Sequence, residues 1–434
     1  MKSSVFQIVV LSLFGALAVA GVGVFAFFVG TTQTQTIGQV EIWGTFDDVA
    51  IGAALRDLSD TDSRFKQMTY VEKNPETYSQ ELTEALAAGK GPDVFVMPHD
   101  DAFRDAGRVV MVPFESLPVD QFKNTFVEAA NPFLTPEGIV AIPLLVDPLV
   151  LYWNRDMLST AGFAKAPEFW NELYDMTSKI TKRDQANSVE RATIAFGEYQ
   201  NVSHAKEIVS LLILQAGGEI TTPAGEKLAP ALGARGGAAQ QAVQSALRFY
   251  SEFANPSNSF YTWNRAQKDS RAAFTGGALA LYIGPASEEP RLRLTNPNLN
   301  MAVASIPQIK TREFSLDVAT VYGLVVPRTS DNLEGAMTAV YLLAGSKPSQ
   351  TISVALGIPS ARRDVLSQPA TGLDDLFNKQ AIISKTWIDP HPQKTDEIFR
   401  AMIESITSGS SKLAEAVQRA EEALGTLLDE QQQQ

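Results

Sequence analysis

GIVAIPLLVDPLVLYWN (138–154) is a nearly unbroken apolar run whose single charge, Asp147, sits between Pro143 and Pro148. A Val- and Leu-rich stretch of this kind reads as strand buried on both faces. Proline cannot donate to a strand ladder, so the two prolines predict two strand pieces with a crossing between them. A lone carboxylate in such surroundings needs a partner if it is buried. Asp147 therefore calls for a hydrogen-bond donor, whether backbone N–H groups or a group from outside the chain.

Working upstream, GPDVFVMP (91–98) gives a Gly-Pro turn and a buried strand, followed by His99, Asp100 and Asp101. VEIWGTF (40–46) repeats the pattern, followed by Asp47 and Asp48 and then Ile51, Leu55 and Leu58 at helical spacing. Strands alternating with amphipathic helices predict the α/β class. In open α/β sheets ligands bind beyond the carboxyl ends of strands, so the acidic residues of these loops are the first candidate contacts. Asp47 or Asp48 would serve equally as a helix N-cap with no ligand present. Downstream, 404–430 carries Leu413, Ala416, Val417, Ala420, Leu424 and Leu428 at spacings of three and four, a terminal amphipathic helix. The glutamines at 431–434 have no face to bury and are expected to be disordered.

The N-terminus suggests a compartment. Val5 to Val29 is 25 residues long and carries no charge. As a helix it would span roughly 37 Å, more than the hydrocarbon core of a bilayer needs. Residues 1–30 therefore read as a transmembrane helix that anchors the chain. Ala18-Val19-Ala20 also offers a small-x-small site for cleavage as a secretory signal. Lys2 precedes the span and the first basic residue after it is Arg56, a bias that places the folded part outside the cell membrane. Residues 31–39 are uncharged and polar, suited to a linker.

At 434 residues the chain is long enough for two lobes, and 45% hydrophobic with 20% charged residues is ordinary globular composition. A formal charge of −13 disfavours nucleic acid as a partner, which requires a basic footprint. The absence of cysteine removes disulfides, thiol catalysis and a lipidated anchor. With three scattered histidines, no metal site is expected, and nothing calls for a cofactor. No nucleophile elbow, P-loop or dinucleotide fingerprint is present.

Several segments in order resemble the family 1 extracellular solute-binding proteins: YSQELTEALAAGKGPDVFVMPHDD (78–101), GIVAIPLLVDPLVLYWNRDMLSTAGF (138–163), APEFWNELYDMTSKIT (166–181), RAAFTGGALALYIGP (271–285), SIPQI (305–309) and YGLVVPRTS (322–330). The resemblance implies a two-lobed periplasmic-binding-protein type II fold with a central cleft. Lobe 1 would comprise 40–146 plus 305–346, and lobe 2 would comprise 147–304 plus 347–430.

The resemblance also assigns contacts. Asp47 and Asp48 match a polar loop, Asp100 matches an acidic cleft residue, and Asp147 matches the acidic residue of the inter-lobe strand. Met97 and Asp101 stand where the family's maltodextrin binders have an aromatic and an arginine, which weakens any inference to that sugar. His99 keeps its identity but suits a structural hydrogen bond. Sugar rings stack on aromatic faces, making Trp43, Trp263 and Tyr282 candidates, with Trp387 left open. Tyr199, Asn201 and His204 lie where lobe 2 contributes contacts in the family.

The implied function is a non-enzymatic, monomeric receptor that presents a mono- or oligosaccharide to the permease of an ABC importer. The rivals are an anchored sensor subunit, a receptor for polyamine-type cations, and a glycan-active enzyme using Asp47 and Asp100.

Overall fold

The computed structural model describes residues 37–225, 227–233 and 237–432. The expected anchor (1–30), most of the expected linker and the last two glutamines lie outside the described residues. Among the described residues no helix is long and apolar enough to cross a membrane.

Ten strands form one sheet among the described residues. They are β1 (Val40–Gly44), β2 (Met68–Glu72), β3 (Val94–Pro98), β4 (Ile142–Asn154), β5 (Lys182–Arg183), β6 (Val189–Ile194), β7 (Leu279–Pro285), β8 (Met301–Ala304), β9 (Asp317–Val325) and β10 (Ser384–Lys385). The order is β2-β1-β3-β9-β4-β7-β6-β5, with β8 also on β4 and β10 on β9. The helices that carry the argument below are α1 (Asp48–Ser59), α2 (Ala205–Gln215), α3 (Gly372–Ile383), α4 (Pro392–Thr407) and α5 (Leu413–Gln431).

β4 corrects one expectation: it is a single 13-residue strand, buried at every position but Trp153. Its two prolines fall where the ladder changes. Pro143 pairs with Gly323 beside a register shift in β9, and Pro148 is the last pairing with β9 before Leu149 takes up Pro285 of β7. At a bulge or a change of partner the missing N–H costs little, so the strand runs on.

The buried apolar side chains fall into two clusters. One runs from Ile37 through Val146 and resumes at Ala319; the other runs from Leu149 through Val318 and resumes at Phe377. The chain therefore passes between the cores along β4 near Asp147, along β9 at Val318–Ala319, and again between Leu366 and Phe399. Ile352, Ile358 and Leu366 pack in the first core; Phe399, Val417 and Leu424 pack in the second. Packing extends upstream of β1: Ile37 is 4% exposed, and Asn332 Nδ2 donates to its carbonyl. At the other end α5 continues to Gln431, and Gln432 exchanges hydrogen bonds with the backbone of Leu228.

Candidate functional site

A cavity of about 550 Å³ opens where the two cores meet, and its walls come from both. From the first core come the loops after β1 and β3. At Gly44, the last residue of β1, a Cβ would meet the Tyr70 hydroxyl and Val96; that hydroxyl in turn accepts from Phe46 N–H. Asp47 caps α1, its Oδ1 accepting from Ala50 N–H at 2.6 Å, and it also lines the cavity. The capping reading and the cleft reading of Asp47 thus coexist. Asp48 is the first helical residue and lies off the lining.

After β3, His99 Nδ1 accepts from Val321 N–H at 3.3 Å, and burial pulls its imidazole below the usual range. It is a neutral structural acceptor at the cavity wall. Asp100 lines the cavity, while Asp101 turns to Arg104, 2.8 Å away. Burial first, and then the charge of Asp100, push Asp101 up to about 7. Met97 is 2% exposed and faces the first core.

On the crossing strand Asp147 is 3% exposed and lines the cavity. Ser287 N–H donates to its Oδ1 at 3.0 Å. Burial raises its carboxyl to about 6, against the pull of Ser287 and of the His204 charge. Its cross-strand neighbour Thr320 and, two residues on, Tyr322 line the same cavity. The Tyr322 ring meets Phe46 edge-on with centroids 4.9 Å apart.

The second core contributes the first turns of α2 and the turn after β7. His204, the N-cap, has φ 60° and ψ 31°, left-handed backbone that costs a non-glycine residue about 1 kcal/mol or more. Its imidazole meets Glu288: Nε2 and Oε1 are 3.0 Å apart. Glu288 is also gripped by Arg271 at 2.5 Å and by the Tyr282 hydroxyl at 2.7 Å. Burial opposes its charge, yet these partners, His204 foremost, hold it below the usual carboxylate range. His204 moves the other way: burial opposes its charge, but Glu288 and Glu207 raise it. Two residues along, Lys206 Nζ lies 3.0 Å from Asp389 Oδ2, with Asp389 also accepting from Thr395 at the start of α4.

The structure thus brings Asp47, His99, Asp100, Asp147, His204 and Trp387 to one cavity and places Asp48, Met97, Asp101, Trp43, Tyr199, Asn201, Trp263 and Tyr282 off its lining. Trp263 is fully buried, its Nε1 donating to Asn201 Oδ1 at 3.2 Å. Asn201 in turn donates to the carbonyls of Asn264 and Gln267, a loop clamp. Tyr282 is 2% exposed behind Glu288, and Tyr199 donates to Asp396. Trp43 packs under Lys73, whose ammonium sits 3.6 Å from its ring centre. The aromatic faces at the cavity are Phe46, Tyr322 and Trp387. Lys206, Glu207, Ser210 and Asp389 were not singled out from sequence, and only the placement of α2's start just after a loop hinted at the first three.

A cavity with polar walls between two α/β lobes joined by continuous strands defines a two-lobed binding protein. The chain belongs to the family described as bacterial extracellular solute-binding protein, whose model matches residues 61–378. Among similar solved structures, the GacH receptor of Streptomyces glaucescens, determined unliganded and with acarbose, is 17% identical. It superposes over 90% of this chain and 98% of its own with a TM-score of 0.69. The cyclic alpha-maltosyl-1,6-maltose binding protein of Arthrobacter globiformis is 15% identical over 90% of this chain and 99% of its own, TM-score 0.73. The sugar-binding protein MalE of Xanthomonas citri is 16% identical over 91% and 98%, TM-score 0.70. At these identities the likeness is one of fold. A curated Brucella abortus relative is 26% identical over 105 residues, so this chain spans about a quarter of its length (25%).

Proposed function

We propose that this protein is the extracytoplasmic solute-binding component of an ABC importer and holds a mono- or oligosaccharide in the inter-lobe cavity. One observation carries the reading: carboxylates from both lobes and from the crossing strand line a cavity that also presents Phe46 and Tyr322. Ionised carboxylates accept strongly from sugar hydroxyls, and aromatic faces pack on the apolar faces of sugar rings. The cavity's size falls in the range of small-molecule sites, roughly 300–1,000 Å³. The ligands named for the Streptomyces and Arthrobacter proteins, and the description of the Xanthomonas protein as sugar-binding, support the same ligand class.

In this reading Asp47, Asp100 and Asp147 touch ligand together with Glu207, Tyr322 and Trp387. The lobes divide where core membership changes, near Asp147, near Val318–Ala319 and between Leu366 and Phe399, and close by bending the chain at these crossings. The protein binds without transforming its ligand, residues 1–30 tether it to the cell membrane, and a permease receives the closed form.

A thermal-shift screen of the full chain against sugars, polyamines and amino acids tests this, because a ligand that binds only the folded state raises Tm. A saturable shift with a saccharide and recovery of the saccharide unchanged are expected. Conversion of the saccharide to product, or shifts with amino acids alone, would overturn the reading.

A further inference from the structure

The charge of the cavity constrains the charge of its occupant. Six carboxylates line it, from Asp47, Asp100, Asp147, Glu207, Glu288 and Asp389, against the basic side chains of His99, His204 and Lys206. His99 is neutral, as its acceptor role requires. The other two are already committed, Lys206 to Asp389 and His204 to Glu288, each at 3.0 Å. Among the described residues Asp47, Asp100, Asp147 and Glu207 have no cation within ion-pairing distance. Three of the four share the cavity wall with Tyr322, whose hydroxyl burial first and then the charges of Asp147, Asp100 and Glu207 hold above its usual range.

A second, independent feature points to a missing partner. Ser210 is 1% exposed, it stands in the cavity wall, and its Oγ is buried with no hydrogen-bond partner. It lies three residues after Glu207 on α2, hence on the same helix face. A buried hydroxyl left unpaired is costly, and native proteins pair most of them. Ser210 is therefore a donor and acceptor waiting beside the carboxylates.

We propose that the occupant is a carbohydrate bearing a protonated amine, its ammonium seated against Tyr322 among Asp100, Asp147 and Glu207, with Ser210 bonded to a neighbouring hydroxyl or amine. This rests on the reading of the cavity as a carbohydrate site and specifies the class of carbohydrate. Closure around a neutral sugar would strip water from several like charges and leave their repulsion in place. An ammonium offsets that repulsion, makes charge-assisted hydrogen bonds, and gains from the π face of Tyr322. The ligand's hydroxyls then use the acceptor capacity that remains.

Calorimetric titration of the full chain with four probes tests the idea: the glucosamine disaccharide, its di-N-acetyl form, maltose and spermidine, at about 50 and about 500 mM salt. The glucosamine disaccharide is expected to bind roughly tenfold to a hundredfold tighter than either neutral disaccharide, the range of a charged hydrogen bond. Its affinity alone among the three saccharides should fall as salt rises. Glu207→Gln should remove most of that advantage and flatten its dependence on salt. Ser210→Ala, a small change that the fold should accept, should weaken the aminated sugar. Neutral disaccharides binding as well as the aminated one would overturn the charge inference and leave the carbohydrate reading standing. Spermidine binding with no saccharide binding would overturn the carbohydrate reading and the proposal with it. Binding of none of the four would overturn the proposal.

Discussion

Ser287 donates its backbone N–H to Asp147 Oδ1 across 140 residues of sequence, at 3.0 Å. The bond ties the strand that crosses between the cores to the turn after β7 that carries Glu288, so the crossing carboxylate and the second lobe's acidic cluster are held together. It satisfies one oxygen of Asp147 from the protein and leaves the rest of the carboxylate's acceptor capacity for the cavity.

Asp147 should trade stability for binding. Its folded pKa, about 6, lies above the ordinary carboxylate value near 3.9. A raised acid favours folding fully below the unfolded pKa, and that contribution is lost as pH rises through about 6. Asp147→Asn keeps an acceptor for Ser287 and removes the ionisation. Chemical denaturation of the free protein at pH 7 should show the variant more stable by on the order of 1–3 kcal/mol, with less pH dependence between pH 4 and 7, roughly the span of the two pKa values. Its ligand affinity should drop at least tenfold, about the worth of one charged hydrogen bond. A less stable variant with intact affinity would reverse both assignments.

Lys206 should be structural as well as electrostatic. Its partner Asp389 is buried, and burial holds that carboxyl above its usual range despite the nearby ammonium. Lys206→Met leaves the carboxylate uncompensated and should cost about 3–5 kcal/mol. Adding Asp389→Asn should restore much of the loss, because the amide still accepts from Thr395 and carries no charge. Urea denaturation of the single and double variants reads this directly. Equal stability of the two would show the pair to be uncoupled.

The His204–Glu288 pair should be visible by titration. Glu288 and Glu207 raise His204 against its burial, so the stability it confers is present below the unfolded histidine pKa and lost as pH rises through the higher folded value. In Glu288→Gln the imidazole midpoint, followed by NMR, should fall. An unchanged midpoint would place the source of the shift elsewhere.

The carboxyl-end rule for strands located Asp47 and Asp100, and the isolated charge in 138–154 located Asp147, because each depends on local sequence. Other cavity residues depend on pairings far apart in the chain. Lys206 finds Asp389 over 183 residues, and Tyr322 reaches the carboxylates only through the register of β9 on β3 and β4. The aromatic signal misled for a physical reason: Trp263 and Tyr282 carry polar handles that are satisfied internally, by Asn201 and Glu288, so they bury completely. Their polar sequence neighbours reflect that internal bonding. The prolines of β4 misled similarly, since a change of ladder partner cannot be read before the partners are known.

A crystal structure of the complex with a bound saccharide tests the central claim most directly. The account predicts ligand oxygen or nitrogen atoms within hydrogen-bonding distance of Asp100 from the first lobe, of Glu207 from the second and of Asp147 between them. Ligand held by one lobe only, or seated away from Asp147, would contradict it.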